Sequence, residues 1–168
     1  MNQEKEIEIK NEVSTLIKKV ACQNDFPVPV AKIVIYLGYK LLKFSPSEKT
    51  NDISGAIYHE KKSIYINNND SICRQFFTIA HEIGHIILHG KDKDVVDYRR
   101  DLNMGSSEKE TETNFFAANL LMPEGAFRQQ WEKYKQYNDL IKTKLISSYF
   151  GVSDLSANIR ANHLDLLH

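Results

Sequence analysis

Two histidines four residues apart, with a glutamate directly after the first, mark the chemistry-bearing stretch His81-Glu82-Ile83-Gly84-His85. On a helix, four residues make just over one turn, so His81 and His85 project from one face and can hold a single metal ion. Glu82 lies beside that face and can reach a metal-bound water without being a ligand. Zinc draws the pKa of its water towards neutrality, and a neighbouring carboxylate can then take the proton as hydroxide attacks a carbonyl. From this chain's own His and Glu frequencies, the pattern arises by chance in roughly one or two chains in a hundred. Two helical histidines hydrogen-bonded in a polar groove would need no metal. Ile79, Ala80, Ile83 and Ile87 weigh against that reading, because they put the motif at the rim of a buried stripe where unpaired imidazoles are costly. Gly84 in mid-helix costs about 1 kcal/mol against alanine, which predicts that another element approaches closely there.

A catalytic zinc needs a third protein ligand and a position left open. His89 is two turns, about 12 Å, from His81 on a continuous helix, so one ion cannot bind both with His85. His89 is expected instead to support a ligand or to cap the helix end. The segment Glu108-Lys109-Glu110-Thr111-Glu112-Thr113-Asn114 supplies the other candidates. Glu110 and Asn114 share a helix face that continues through Ala117 to Leu121. That face offers a carboxylate, a polar group to orient a ligating histidine, and small residues for close packing. Glu110 also completes a capping box with Ser107, which needs no metal. Glu112 is its rival, pointing nearer Phe116 and Asn119. Spacing alone leaves these choices open.

The elements that must position these residues follow an α+β order. An amphipathic helix carries Ile7, Val13, Leu16, Ile17 and Val20, and a short helix runs from about Val30 to Leu37. Strands are expected at Tyr39 to Phe44, Ile53 to His59 and Ser63 to Asn67, the last two as a hairpin in a small antiparallel sheet. Asn67 to Asp70 offers caps for a helix whose buried face is Ile72, Phe76, Ile79, Ala80, Ile83 and Ile87, ending at Gly90. Lys91 to Ser107 reads as a polar loop. Helices follow at about Glu108 to Met122, Phe127 to Tyr137, Leu140 to Phe150 and Ser153 to Leu164.

The two patterns together, Phe77-Thr78-Ile79-Ala80-His81-Glu82-Ile83-Gly84-His85-Ile86-Ile87-Leu88-His89 and Glu110-x-x-Thr113-Asn114-x-Phe116-Ala117-Ala118-x-Leu120-Leu121-Met122-Pro123, resemble the ImmA/IrrE family of zinc metallopeptidases. Thr113 stands where that family usually has alanine. The resemblance covers roughly residues 28–125 and hardly touches the first 25. It implies a zincin-like metallopeptidase domain of gluzincin type over residues 1–126, with residues 127–168 a helical segment packed on the same core. It further implies His81, His85 and Glu110 as ligands of one Zn2+ per chain, Glu82 as general base and Asn114 as the group orienting a ligand. The expected activity is cleavage of a partner protein, characteristically a DNA-binding helix-turn-helix repressor of a mobile element or stress regulon. The alternative is a non-cleaving antirepressor that keeps the fold, against which the intact Glu82 argues.

Weaker features remain. Tyr98, with Arg99 and Arg100, is a candidate oxyanion stabiliser, a role needing a donor near the metal. The strand Ser63 to Asn67 is a candidate sheet edge for an extended substrate. Leu145 to Ser153, with Ile159 and Arg160 beyond, has the look of a helix-turn-helix.

The whole chain, 168 residues, is about one domain's worth, with Lys+Arg and Asp+Glu balanced at 22 each. Zero net charge argues against a protein built to neutralise phosphates, and the six basic and four acidic residues from Phe127 onward are a poor DNA footprint. Direct nucleic-acid binding is therefore not expected, and packing or substrate recognition is the preferred role for the C-terminal helices. No apolar run approaches a membrane span, the first residues alternate charges where a signal peptide would be apolar, and Cys22 and Cys73 form no spaced pair. A reducing cytoplasm and no membrane partner are expected.

Overall fold

The computed structural model describes residues 1–48, 50, 52–90, 97–100 and 108–167, the four at 97–100 by backbone alone. Helix α1 (Gln3–Val20) opens the chain, capped by Asn2, whose side chain accepts from the Lys5 amide at 2.9 Å. Ile9, Val13, Leu16, Ile17 and Val20 are its buried face. Ile9 takes the place expected for Ile7, which stands 55% exposed. The first 20 residues thus complete the core, and α1 packs against the later helix that carries Glu110. Helix α2 (Val30–Tyr36) leads into strand β1 (Lys40–Phe44), followed by β2 (Ile53–Tyr58) and β3 (Ser63–Asn67).

These strands and β4 (Asp97–Arg100) form one sheet in the order β1-β3-β2-β4. The hairpin β2–β3 is antiparallel, as is β2–β4, but β1 runs parallel to β3. The sheet is therefore mixed rather than antiparallel. After β1 the chain passes to β2, which runs the opposite way, and the hairpin return lays β3 between them in the direction of β1. That insertion makes β3 an interior strand, so Ser63 to Asn67 is not the edge expected from sequence. The segment read as loop between Lys91 and Ser107 contains strand β4 at Asp97–Arg100, and the residues on either side of it lie outside the described ones.

Helix α3 (Ile72–His89) lies across β2 and β3 on the sheet face that bears Ile57, Ile64 and Ile66. Its cap is Ser71, which accepts from the Arg74 amide at 3.3 Å, not one of Asn67 to Asp70. Asn67 is occupied elsewhere, donating to the Ile53 carbonyl and accepting from the Asn69 amide. Ile72, expected on the buried face, is 70% exposed because it precedes the turn that meets the sheet. Arg74 Nε donates to Ser54 Oγ at 3.2 Å, which ties the first turn of α3 to β2.

Helix α4 (Glu108–Leu121) packs along α3, and α5 (Glu124–Lys133), α6 (Asp139–Phe150) and α7 (Asp154–His163) follow. Phe127, Trp131, Ile146, Phe150, Ala157 and Ala161 belong to the same core cluster as the residues of α1 to α4. Arg160, in the helix-turn-helix-like pair α6–α7, is only 3% exposed. Its guanidinium donates to the Met122 carbonyl at 3.1 Å and to Asn119 Oδ1 at 2.8 Å, closing the C-terminal end of α4. Burial pushes it down to about 10. Among the described residues no helix is long and apolar enough to cross a membrane.

Candidate metal centre

Every group at the centre projects from α3 or α4, and their spacing depends on how closely those helices approach. Gly84 sets that approach. A Cβ built there would sit 2.8 Å from Thr113 Cγ2 and 3.1 Å from Phe116 Cδ1. The close contact expected at this glycine is therefore with α4, which is where Glu110 comes from. Thr113 reaches back along α4 to donate to the Lys109 carbonyl at 2.6 Å, and this turns its methyl group toward Gly84.

The result is a convergence of three metal-capable side chains, His81, His85 and Glu110. His81 Nε2 and His85 Nε2 are 3.0 Å apart, Glu110 Oε2 is 3.3 Å from His81 Nε2, and Glu110 Oε1 is 3.1 Å from His85 Nε2. Zinc bonds of about 2.0–2.1 Å at tetrahedral angles place donors about 3.3 Å apart, so these separations suit one such ion. The histidines are 1% and 4% exposed, while Glu110 and Asn114 stand on the side open to solvent.

The hydrogen bonds decide which imidazole nitrogen faces inward. Asn114 Oδ1 lies 3.0 Å from His81 Nδ1 and accepts the proton there. That fixes the tautomer and leaves the His81 Nε2 lone pair aimed at His85 and Glu110. An imidazole lone pair and a carboxylate converging in a buried site repel unless a cation or shared protons lie between them. With shared protons in that place, imidazole N–H groups of His81 first and then His85 donate to Glu110 and hold its carboxyl well below the usual carboxylate range, against burial. The donor set fits a divalent metal.

Glu112, the rival ligand, is turned away. Its Oε2 is 3.6 Å from His89 Nε2 and 3.8 Å from Lys5 Nζ of α1. His89 remains on the continuous helix, its ring 5.9 Å from that of His85 and its Nε2 3.6 Å from Glu112 Oε2, too far for a hydrogen bond. Burial, and then His85, push its imidazole below the ordinary range, with Glu112 opposing. Ser107, the other half of the capping box, lies outside the described residues, but the Glu110 carboxylate faces the histidines.

Glu82 is 1% exposed and reaches toward β2, where its Oε1 lies 3.3 Å from the point a Gly55 Cβ would occupy. Sequence reasoning missed Gly55. A glycine interrupting the β2 pattern was the available signal. The backbone of Tyr98 pairs with Ala56 of β2, but its side chain lies outside the described residues, so its oxyanion role stays an expectation.

A helix carrying two histidines and a carboxylate, closed by a glutamate from a second helix over a small mixed sheet, defines a zincin-like metal-binding domain of α+β class. Residues 36–162 match the family described as the IrrE N-terminal-like domain, a peptidase family, and the chain belongs to it. The chain is also similar to the radiation response metalloprotease IrrE of Deinococcus radiodurans, 39% identical over 82 residues. That match covers 48% of this chain and 25% of the relative, so the chain spans about a quarter of the length of the curated protein it matches.

Proposed function

We propose that this chain is a zinc-dependent metalloendopeptidase that hydrolyses a peptide bond in a partner protein. The observation that carries the reading is the 3.0–3.3 Å convergence of His81, His85 and Glu110, with the buried Glu82 carboxylate one residue from a ligand. Zinc in this donor set supplies Lewis-acid polarisation of a carbonyl and acidifies water at the site. Glu82 accepts a proton from the attacking water and later returns it to the leaving amine. Asn114 keeps the His81 proton on Nδ1, so that Nε2 stays a ligand atom. His89 stands behind His85, and Glu112 of α4 lies between it and Lys5 of α1.

The family resemblance supports a helix-turn-helix repressor as substrate, cut in the cytoplasm, where two free thiols at Cys22 and Cys73 are at home. The test is to incubate zinc-loaded protein and its Glu82→Gln variant with host cell extract and sequence the new N-termini by mass spectrometry. New termini in a repressor, made by the parent protein and not by Glu82→Gln, are the expected result. No new termini from a fully zinc-loaded protein, with Glu82→Gln keeping its biological effect, would replace this reading with the non-cleaving antirepressor.

A further inference from the structure

Both sides of α3 rest on glycine. On the α4 side, Gly84 admits Thr113 and Phe116. On the sheet side, Gly55 of β2 faces the turn of α3 that carries Thr78 and Glu82. A Cβ at Gly55 would lie 2.5 Å from Thr78 Cγ2, 3.2 Å from the Tyr65 carbonyl oxygen and 3.3 Å from Glu82 Oε1. Thr78 is fully buried and Glu82 is 1% exposed, so neither can swing into solvent to make room. The Arg74–Ser54 hydrogen bond fixes α3 over β2 one turn earlier, so the clearance cannot be recovered by sliding the helix.

We propose that Gly55 is a positioning residue for the Glu82 carboxylate, a role that rests on the peptidase reading given above. The two glycines divide the work. Gly84 sets where the α4 ligand stands, and Gly55 sets where the proton acceptor stands. The three atoms nearest an added methyl at Gly55 belong to Thr78, Tyr65 and Glu82, so the methyl meets the carboxylate before any of His81, His85 and Glu110. The Tyr65 carbonyl oxygen of the neighbouring strand β3 lies 3.2 Å from the same point, so the methyl has little room towards that strand.

Gly55→Ala and Gly55→Ala/Thr78→Ser separate the two contacts. Serine lacks Cγ2, so the double variant removes the helix-packing overlap and leaves the one with Glu82. Zinc affinity by competition with a chromophoric chelator, melting temperature in excess chelator, and hydrolysis of a proteome-derived peptide library by mass spectrometry are measured on both. We expect each variant to hold one zinc per chain with affinity within about threefold of the parent. Gly55→Ala melts lower, and adding Thr78→Ser restores most of that loss. Hydrolysis stays down by about two- to fivefold in both, since the carboxylate must give by only a few tenths of an ångström and a full 1 Å misplacement costs about 10²-fold. In a Glu82→Ala background, the melting-temperature loss caused by Gly55→Ala shrinks, because the carboxylate it meets is gone.

Loss of zinc from the double variant would overturn the proposal, since Gly55 would then hold the whole centre. Recovery of hydrolysis together with melting temperature would also overturn it, as would an equal melting loss with and without Glu82. If the parent protein cleaves nothing in the library, the peptidase reading fails by itself. The coupling between positions 55 and 82 still decides whether Gly55 seats the carboxylate.

Discussion

Replacing Gly84 with alanine puts a methyl group into the seam between α3 and α4. Ordinary contacts begin near 3.4 Å, so the 2.8 Å approach to Thr113 Cγ2 falls short by about 0.6 Å and the 3.1 Å approach to Phe116 Cδ1 by about 0.3 Å. Overpacking of this kind costs about 1–3 kcal/mol. Alanine in mid-helix returns about 1 kcal/mol through propensity. The net destabilisation of the metal-free protein is therefore about 0–2 kcal/mol, a fall in melting temperature of no more than about 8 °C for a chain of this size. The effect on the metal should be much larger. If α4 backs away by about half an ångström, Glu110 goes with it, and metal–ligand distances tolerate only about ±0.2 Å. Zinc affinity should drop by about 10- to 100-fold, the range seen when the supports of metal ligands are removed. Chelator competition measures the affinity, and melting in excess chelator measures the fold separately. Thr113→Ala, which removes the nearer contact, should recover part of the affinity in the double variant. An unchanged zinc affinity beside a lowered melting temperature would refute the claim that Gly84 sets the ligand geometry.

Other expectations concern single contacts. Asn114→Ala should lower zinc affinity by about 10- to 100-fold while Asn114→Asp, which keeps an acceptor for His81 Nδ1–H, retains most of it. Arg160→Ala should destabilise the protein by about 2–4 kcal/mol in urea denaturation, because it strands the Met122 carbonyl and Asn119 Oδ1 in the core. A loss under about 1 kcal/mol would show that α7 does not secure the end of α4. The Glu124 carboxyl is held below its ordinary range by Arg128 first, and also by Lys10, against some desolvation. A depressed carboxyl adds stability above its unfolded value and loses it as pH falls through the folded one. At this half-exposed site the contribution should be under about 1 kcal/mol and vanish at high salt. Melting curves of Glu124→Gln and the parent between pH 7 and 3 check it, and a difference that grows towards low pH would be the wrong sign.

What the sequence disclosed and what it hid follow from the range of the interactions involved. The i, i+4 spacings placed His81 with His85 and Glu110 with Asn114, because a helix makes neighbours of residues one turn apart. The cost of Gly84 pointed to a close partner without saying which one. Glu110 and Glu112 could not be separated from spacing, since what distinguishes them is tertiary: His89 and Lys5 draw Glu112 away, and Lys5 lies more than a hundred residues earlier on α1. The parallel pairing of β1 with β3 was hidden for the same reason, because alternation in a strand reports a buried face and not a neighbour. Ile9 outranked Ile7 as a core residue once α4 fixed the face that α1 had to cover. Strand β4 lay in a polar stretch whose pairing with β2 carries no local hydrophobic signal.

Zinc stoichiometry by elemental analysis, on the parent protein with Glu110→Ala and Glu112→Ala beside it, tests the central claim most directly. We expect about one zinc per chain in the parent and in Glu112→Ala, and weak or absent zinc in Glu110→Ala. A parent protein that takes up no metal when zinc is supplied at neutral pH, or one that loses it on changing Glu112 and keeps it on changing Glu110, would contradict the account.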